Sequence, residues 1–183
     1  MCAAGVFENE RVYFAYGSNL HPLRMIDRLG SDIRLLGIAE VGGYRLEFSK
    51  RSSTDGSAKC TISAVDGGSV WGAVYAITHP HKVTLDAYEG LGKGYDERLL
   101  MLNVAGERLQ AFTYVANHEY IDRSLRPYCW YKSLVCAGAR YHRFPVAYVD
   151  VIEQTPFDVD RNEARKRKNE RVLAQLASKP SDD

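Results

Sequence analysis

The run Tyr16-Gly17-Ser18-Asn19-Leu20, followed by His21 and Pro22, has residue types and spacing that could bind an anion. A Gly-Ser-Asn turn between a strand and a helix start can aim several unpaired backbone N–H groups at one point, where the helix dipole also favours negative charge. Such a cradle takes a carboxylate or a phosphate. The same residues also suit a plain turn in which Gly17 and Asn19 only supply dihedral freedom. Phosphate is the poorer reading, because no Gly-Lys-Ser/Thr follows and the three glycines of a dinucleotide fingerprint are missing. Ser18 with His21 would make a nucleophile and its base, but the context is not G-x-S-x-G and Pro22 draws the chain away. His79 and His81 have a spacing that can chelate; no third ligand is evident, and a surface pair flanking Pro80 is the plainer reading. Cys129 and Cys136 read as small packed hydrophobes.

The elements that must position these residues follow from pattern and punctuation. Residues 11–16 alternate Val12, Phe14 and Tyr16 with Tyr13 and Ala15, as expected of a strand buried on both faces. Pro22 fits the first turn of a helix running to Leu29, and Gly30 ends it. From Ile33 to Ile77 the chain reads as short strands punctuated by glycine, with a tight hairpin expected at Asp66-Gly67-Gly68. Thr78 should cap the next helix, with Pro80 in its first turn and Gly90 as its stop, which leaves Glu89 at the C-terminal end. Gly90 to Gly94, "GLGKG", reads as a loop. Strands at about 98–105 and 108–115 join across Gly106, and "YCWYKSLVCAGARYH" reads as a buried helix. The fold class is therefore α+β, a small mixed β-barrel or strongly curled sheet flanked by helices, with a C-terminal surface helix within 159–178. One domain is expected over 1–183, with a core at 11–158 and a charged helix and tail at 159–183.

Composition narrows the classes. A chain of 183 residues, 45% hydrophobic, can bury one core, and a net charge of +1 exerts no global pull on nucleic acid or membrane. Four cysteines without a CxxC pair, and a start without a basic and then apolar leader, lead us to expect reduced thiols, the cytoplasm and no membrane partner. The segment Arg161 to Arg171 is basic, but it has no aromatic residue for stacking and its Arg/Glu spacing is ordinary for a solvated helix, so nucleic acid is not the expected partner.

"YGSNL" after an N-terminal strand, then "VWGAVYAI", "LDAYEG" followed by "GY", and "YKSLVCAGA", taken in that order, resemble the γ-glutamylcyclotransferase family over roughly residues 12 to 158. The resemblance implies a small β-barrel flanked by helices, and intramolecular cyclisation of a γ-glutamyl compound to 5-oxoproline with release of the attached amine or amino acid. It implies no cofactor and no metal, a small-molecule γ-glutamyl substrate, and a possible homodimer. Tyr16, Gly17, Ser18, Asn19 and Leu20 match the family's binding loop, where the cradle reading and the resemblance converge. Glu89 matches the catalytic acid/base, at a helix end where the dipole's negative pole and partial burial beside Tyr88 and Tyr95 would suit proton exchange. Tyr95, Tyr114 and Tyr131 correspond to tyrosines lining the family's pocket. The basic C-terminal helix and "RSLRPYCWYK" depart from the pattern, which leaves the contacts to the leaving group open. The alternative function is a binding module that keeps the cradle for an acidic ligand without turnover.

Overall fold

The computed structural model describes residues 7–178. In chain order it contains β1 (Glu10–Ala15), α1 (Pro22–Leu29), β2 (Arg34–Arg51), β3 (Ala58–Thr78), α2 (His79–Glu89), β4 (Tyr95–Val104), β5 (Glu107–Ala116), a 3-10 turn (His118–Tyr120), α3 (Cys129–Tyr141), α4 (Val146–Gln154) and α5 (Glu163–Ala177). The five strands form one mixed sheet in the order β2-β3-β1-β5-β4. Central β1 runs antiparallel to β3 and parallel to β5. A middle strand covered on both faces must be apolar throughout, and Val12, Tyr13, Phe14 and Ala15 are all buried. The sheet curls until its edge strands meet: a Cβ on Gly37 of β2 would lie 3.1 Å from Val104 Cγ1 at the end of β4. The expected α+β class with a curled mixed sheet is what the chain adopts.

The helix boundaries coincide with their chemical punctuation. Thr78 accepts from His81 N, Pro80 sits in the first turn of α2, and Gly90 closes it in the left-handed region at φ 67°. Ala105 and Gly106, both with positive φ, join β4 to β5 in a two-residue turn.

The expected hairpin at Asp66-Gly67-Gly68 is not formed. β3 runs unbroken from Ala58 to Thr78 and pairs with β2 on both sides of these residues. Gly42 pairs with Ser69 and Tyr44 with Ala64, so Val65 to Gly68 stand opposite Gly43 alone. The glycines thus build a bulge that bends two long strands, in place of the short glycine-punctuated strands expected from Ile33 to Ile77. A Cβ on Gly68 would come within 2.5 Å of the Tyr44 carbonyl oxygen, so the bend needs a residue without one. Helix α4, which follows Pro145, was not expected.

Three helices pack on one another and on the sheet. A Cβ on Gly138 of α3 would fall 2.3 Å from Leu20 Cβ, which fixes how closely α3 presses on the turn after β1. Asp160, fully buried, ties α5 to α3: its Oδ2 accepts from Trp130 Nε1 at 2.9 Å, and Arg165 donates to both its oxygens at 2.6 and 2.7 Å. The guanidinium beside Asp160 holds its carboxyl at about 2. Among the described residues no helix is long and apolar enough to cross a membrane.

Candidate active site

The turn after β1 is held from behind. Leu20 N donates to Gly17 O at 3.1 Å, and the Leu20 carbonyl accepts from Tyr75 Oη at 2.6 Å and from His142 Nε2 at 2.7 Å. His21 caps α1 with Nδ1, which accepts from Leu23 N at 3.2 Å. Burial pulls the His21 imidazole down to about 4, with His142 adding to the effect, so the ring stays neutral and that nitrogen remains an acceptor. This assignment removes His21 as a base for Ser18. Leu20 itself is core: its side chain is fully buried, its N–H is used in the turn, and it does not reach the cleft. Among the described residues, the N–H groups of Gly17, Ser18 and Asn19 take no part in the turn's backbone hydrogen bonds.

On the open side the turn forms one wall of a small cleft lined by Tyr13, Tyr16, Gly17, Ser18, Asn19, Cys60, Glu89, Tyr95, Tyr114 and Tyr131. Apart from Leu20, every residue the sequence put forward for the site is present. Asn19 joins the two halves: its Nδ2 donates to Glu89 Oε1 at 3.0 Å and to Tyr13 Oη at 3.0 Å. Arg28 of α1 donates from Nη1 to Asn19 Oδ1 at 2.7 Å and to Glu89 Oε1 at 3.0 Å. Both contacts use Oε1, so among the described residues no group donates to Oε2 of this half-buried carboxylate. Tyr88, expected to help bury the acid, is 58% exposed, with Arg28 stacked over its ring at 5.1 Å.

The tyrosines present oxygens whose hydrogens are mostly committed. Tyr16 donates to the Tyr114 carbonyl, Tyr95 donates to the Cys60 carbonyl at 2.7 Å, and Tyr114 donates to Asp86 Oδ1 at 2.6 Å. Tyr131 Oη accepts from Cys60 N at 3.1 Å. Burial drives all of these phenols upward, so they are neutral near pH 7, and three of them keep lone pairs for a donor such as an amine. Burial likewise pushes the Cys60 thiol up to about 12, which makes it a poor nucleophile. Among the described residues, Cys60, Cys129 and Cys136 are free, and no group of three or more His, Cys, Asp and Glu is arranged to hold a metal ion.

The profile of the family described as Gamma-glutamyl cyclotransferase, AIG2-like, matches residues 13–133. The chain belongs to this family. The chain is 29% identical over 157 residues to the gamma-glutamylcyclotransferase of Homo sapiens, a match that covers 81% of this chain and 80% of that one. It is also 29% identical over 144 residues to the protein of the same name from Bos taurus, with 75% and 74% covered. A solved structure named Gamma-glutamyl cyclotransferase superposes with a TM-score of 0.77 at 22% identity, covering 91% of this chain and 99% of that one, which shows the fold.

Several members of the site were missed in the sequence. Tyr13 lies inside the recognised strand and signals only burial there. Arg28 had no distinguishing context until α1 turned it back toward Glu89. Cys60, Asp86 and Lys82 are brought in by β3 and α2, and Lys82 bridges Asp86 to Glu97 with a 2.8 Å contact to the latter.

Proposed function

We propose that this member of the family converts a γ-glutamyl amide into 5-oxoproline and a free amine, without a cofactor, with Glu89 as the general acid and base. The supporting observation is the 3.0 Å hydrogen bond from Asn19 to Glu89 Oε1, which binds the cradle and the carboxylate into one site across seventy residues of chain. The substrate's α-carboxylate is taken by the unused N–H groups of Gly17 and Ser18, next to the N-terminus of α1. Its α-ammonium faces the phenol oxygens of Tyr16, Tyr95 and Tyr114, and Glu89 Oε2 takes the proton that makes the amine nucleophilic. The amine nitrogen then bonds to the γ-carbonyl carbon. As the amide C–N bond breaks, the proton held on Glu89 passes to the departing nitrogen, and the second proton shed by the ring nitrogen leaves with the released amine as an ammonium, so no co-reactant is consumed. Because both reacting groups belong to one molecule, holding it curled accounts for much of the rate, up to roughly 7–11 kcal/mol in favourable systems.

Incubation with γ-glutamyl amino acids and amines, read by mass spectrometry, tests the reading through the appearance of 5-oxoproline. Glu89→Gln should lose about 10²–10⁴-fold in kcat while still binding ligand. Ligand binding by the wild type with no 5-oxoproline formed would instead favour the binding-module reading.

A further inference from the structure

The cleft opens into a wider cavity of about 370 Å³ that shares Ser18, Glu89, Tyr95 and Tyr131 with it. In the reaction proposed above, this is the side available to the leaving portion. Its walls are rich in cations, and three of these already have partners: Arg28 binds Glu89 at 3.0 Å, Lys59 binds Asp55 at 2.8 Å, and Arg165 binds Asp160 at 2.6 Å. Lys93 is exposed and needs none.

Lys50 and Arg24 differ from these. Lys50 is 7% exposed, and no carboxylate among the described residues forms an ion pair with it. Its ammonium rests on the faces of Tyr95 and Tyr120, 4.7 and 5.9 Å from the ring centroids. The nearby acids that attract it, Glu89 and Asp55, are bound to Arg28 and Lys59. Room for the ammonium is made by Gly94, where a Cβ would lie 3.0 Å from Lys50 Nζ. Arg24 on α1 lines the same cavity, and its buried Nε has no hydrogen-bond partner among the described residues. Burial lowers the charge affinity of both groups, taking Arg24 down to about 10. A desolvated cation without a counter-charge is costly, and a bound anion removes that cost.

We propose that Lys50 and Arg24 are the specificity determinants for the released portion of the substrate. Each takes one negative charge, and the favoured substrates are γ-glutamyl compounds whose leaving portion carries two carboxylates, such as an acidic amino acid. Compounds that release a neutral amine are disfavoured. The assignment rests on the cyclisation reading but can fail separately from it.

The test uses the full chain and three compounds whose leaving portions carry no carboxylate, one or two: γ-glutamyl methylamide, γ-glutamyl-glutamine and γ-glutamyl-glutamate. We expect kcat/KM to rise at each added carboxylate, mainly through KM. In Lys50→Met and in Arg24→Met the ratio of the dicarboxylate to the methylamide should fall about tenfold each, and Lys50→Arg should recover most of it. A ratio near one in the wild type, or ratios that both Met variants leave intact, overturns the assignment while the cyclisation stands. No 5-oxoproline from any of the three compounds removes the cyclisation reading and this assignment together. If a Met variant unfolds, as judged by its thermal transition, Lys50→Gln and the wild-type series still decide.

Discussion

At the scale of single residues, Asn19 carries more of the site than its position in a turn suggests. Its amide donates to Tyr13 and Glu89 and accepts from Arg28, so both ends of one planar group are engaged. The planarity matters, because fixing the amide fixes Glu89 Oε1 relative to Gly17 and Ser18. Among the described residues Glu89 Oε2 accepts no hydrogen bond, so Asn19 and Arg28 set the carboxylate through Oε1. Asn19→Ala removes three hydrogen bonds and leaves Arg28 as the holder of the carboxylate. We expect a stability loss of about 1–3 kcal/mol in urea unfolding, from the desolvated groups left unpaired. We also expect a larger drop in kcat than change in KM, as follows if Glu89 has the proton-transfer role proposed above. Equal losses in both constants would assign Asn19 to substrate holding alone. Asn19 was legible in the sequence as a turn residue and, by resemblance, as part of a binding loop. Its bond to Glu89 was not, since nothing local to residue 19 specifies a partner seventy positions away.

At the scale of elements, the turn is shaped by what packs behind it. Gly138 lets α3 approach until a Cβ there would be 2.3 Å from Leu20 Cβ and 3.0 Å from His21 N, and neither neighbour is the far end of a flexible side chain. Gly138→Ala is therefore expected to cost about 1–3 kcal/mol through overpacking. It should also shift the turn enough to raise KM for a γ-glutamyl substrate, which steady-state kinetics beside urea unfolding would read. A stable variant with unaltered KM would show that the turn has slack. The elements themselves were readable to different degrees, for physical reasons. Helices α1 and α2 end where the sequence says because Pro22, Gly30, Thr78, Pro80 and Gly90 act on their own backbone. The glycines at 67 and 68 have the same local signature in a hairpin turn and in a bulge. What separates the two is whether the neighbouring strand continues, and β2 does continue to Arg51. Helix α4 escaped notice because Pro145 offers no side-chain cap and its apolar residues include the exposed Val146 and Val151.

At the scale of the whole molecule, the site depends on the folded core staying neutral where it was built neutral. His21 is 2% exposed, its ring packs on Tyr141 at 4.4 Å, and its Nδ1 must remain unprotonated to cap α1. His142, pulled down by its own burial, donates to the carbonyl of Leu20. In the unfolded chain His21 takes a proton near its ordinary 6.5, whereas in the folded protein it does so only near about 4. A group with a depressed folded value stabilises the fold fully above 6.5, and that contribution drains away as the pH falls to about 4, where both states are protonated. The global unfolding free energy should thus decline across this window, by on the order of 3 kcal/mol at most from His21. Asp160 adds a second loss at lower pH: its folded value near 2 lies below the ordinary 3.8, so its contribution is complete above 3.8 and disappears as the pH falls toward 2. The two can be told apart by urea titrations at pH 7, 5.5, 4 and 2.5 on the wild type and His21→Asn. Asparagine keeps an acceptor at the helix cap but cannot titrate there. The variant should therefore lose less stability than the wild type between pH 7 and 4 and fall in parallel with it below. Parallel curves over the upper window as well would mean that the acid sensitivity of the fold arises elsewhere than at the cap behind the turn.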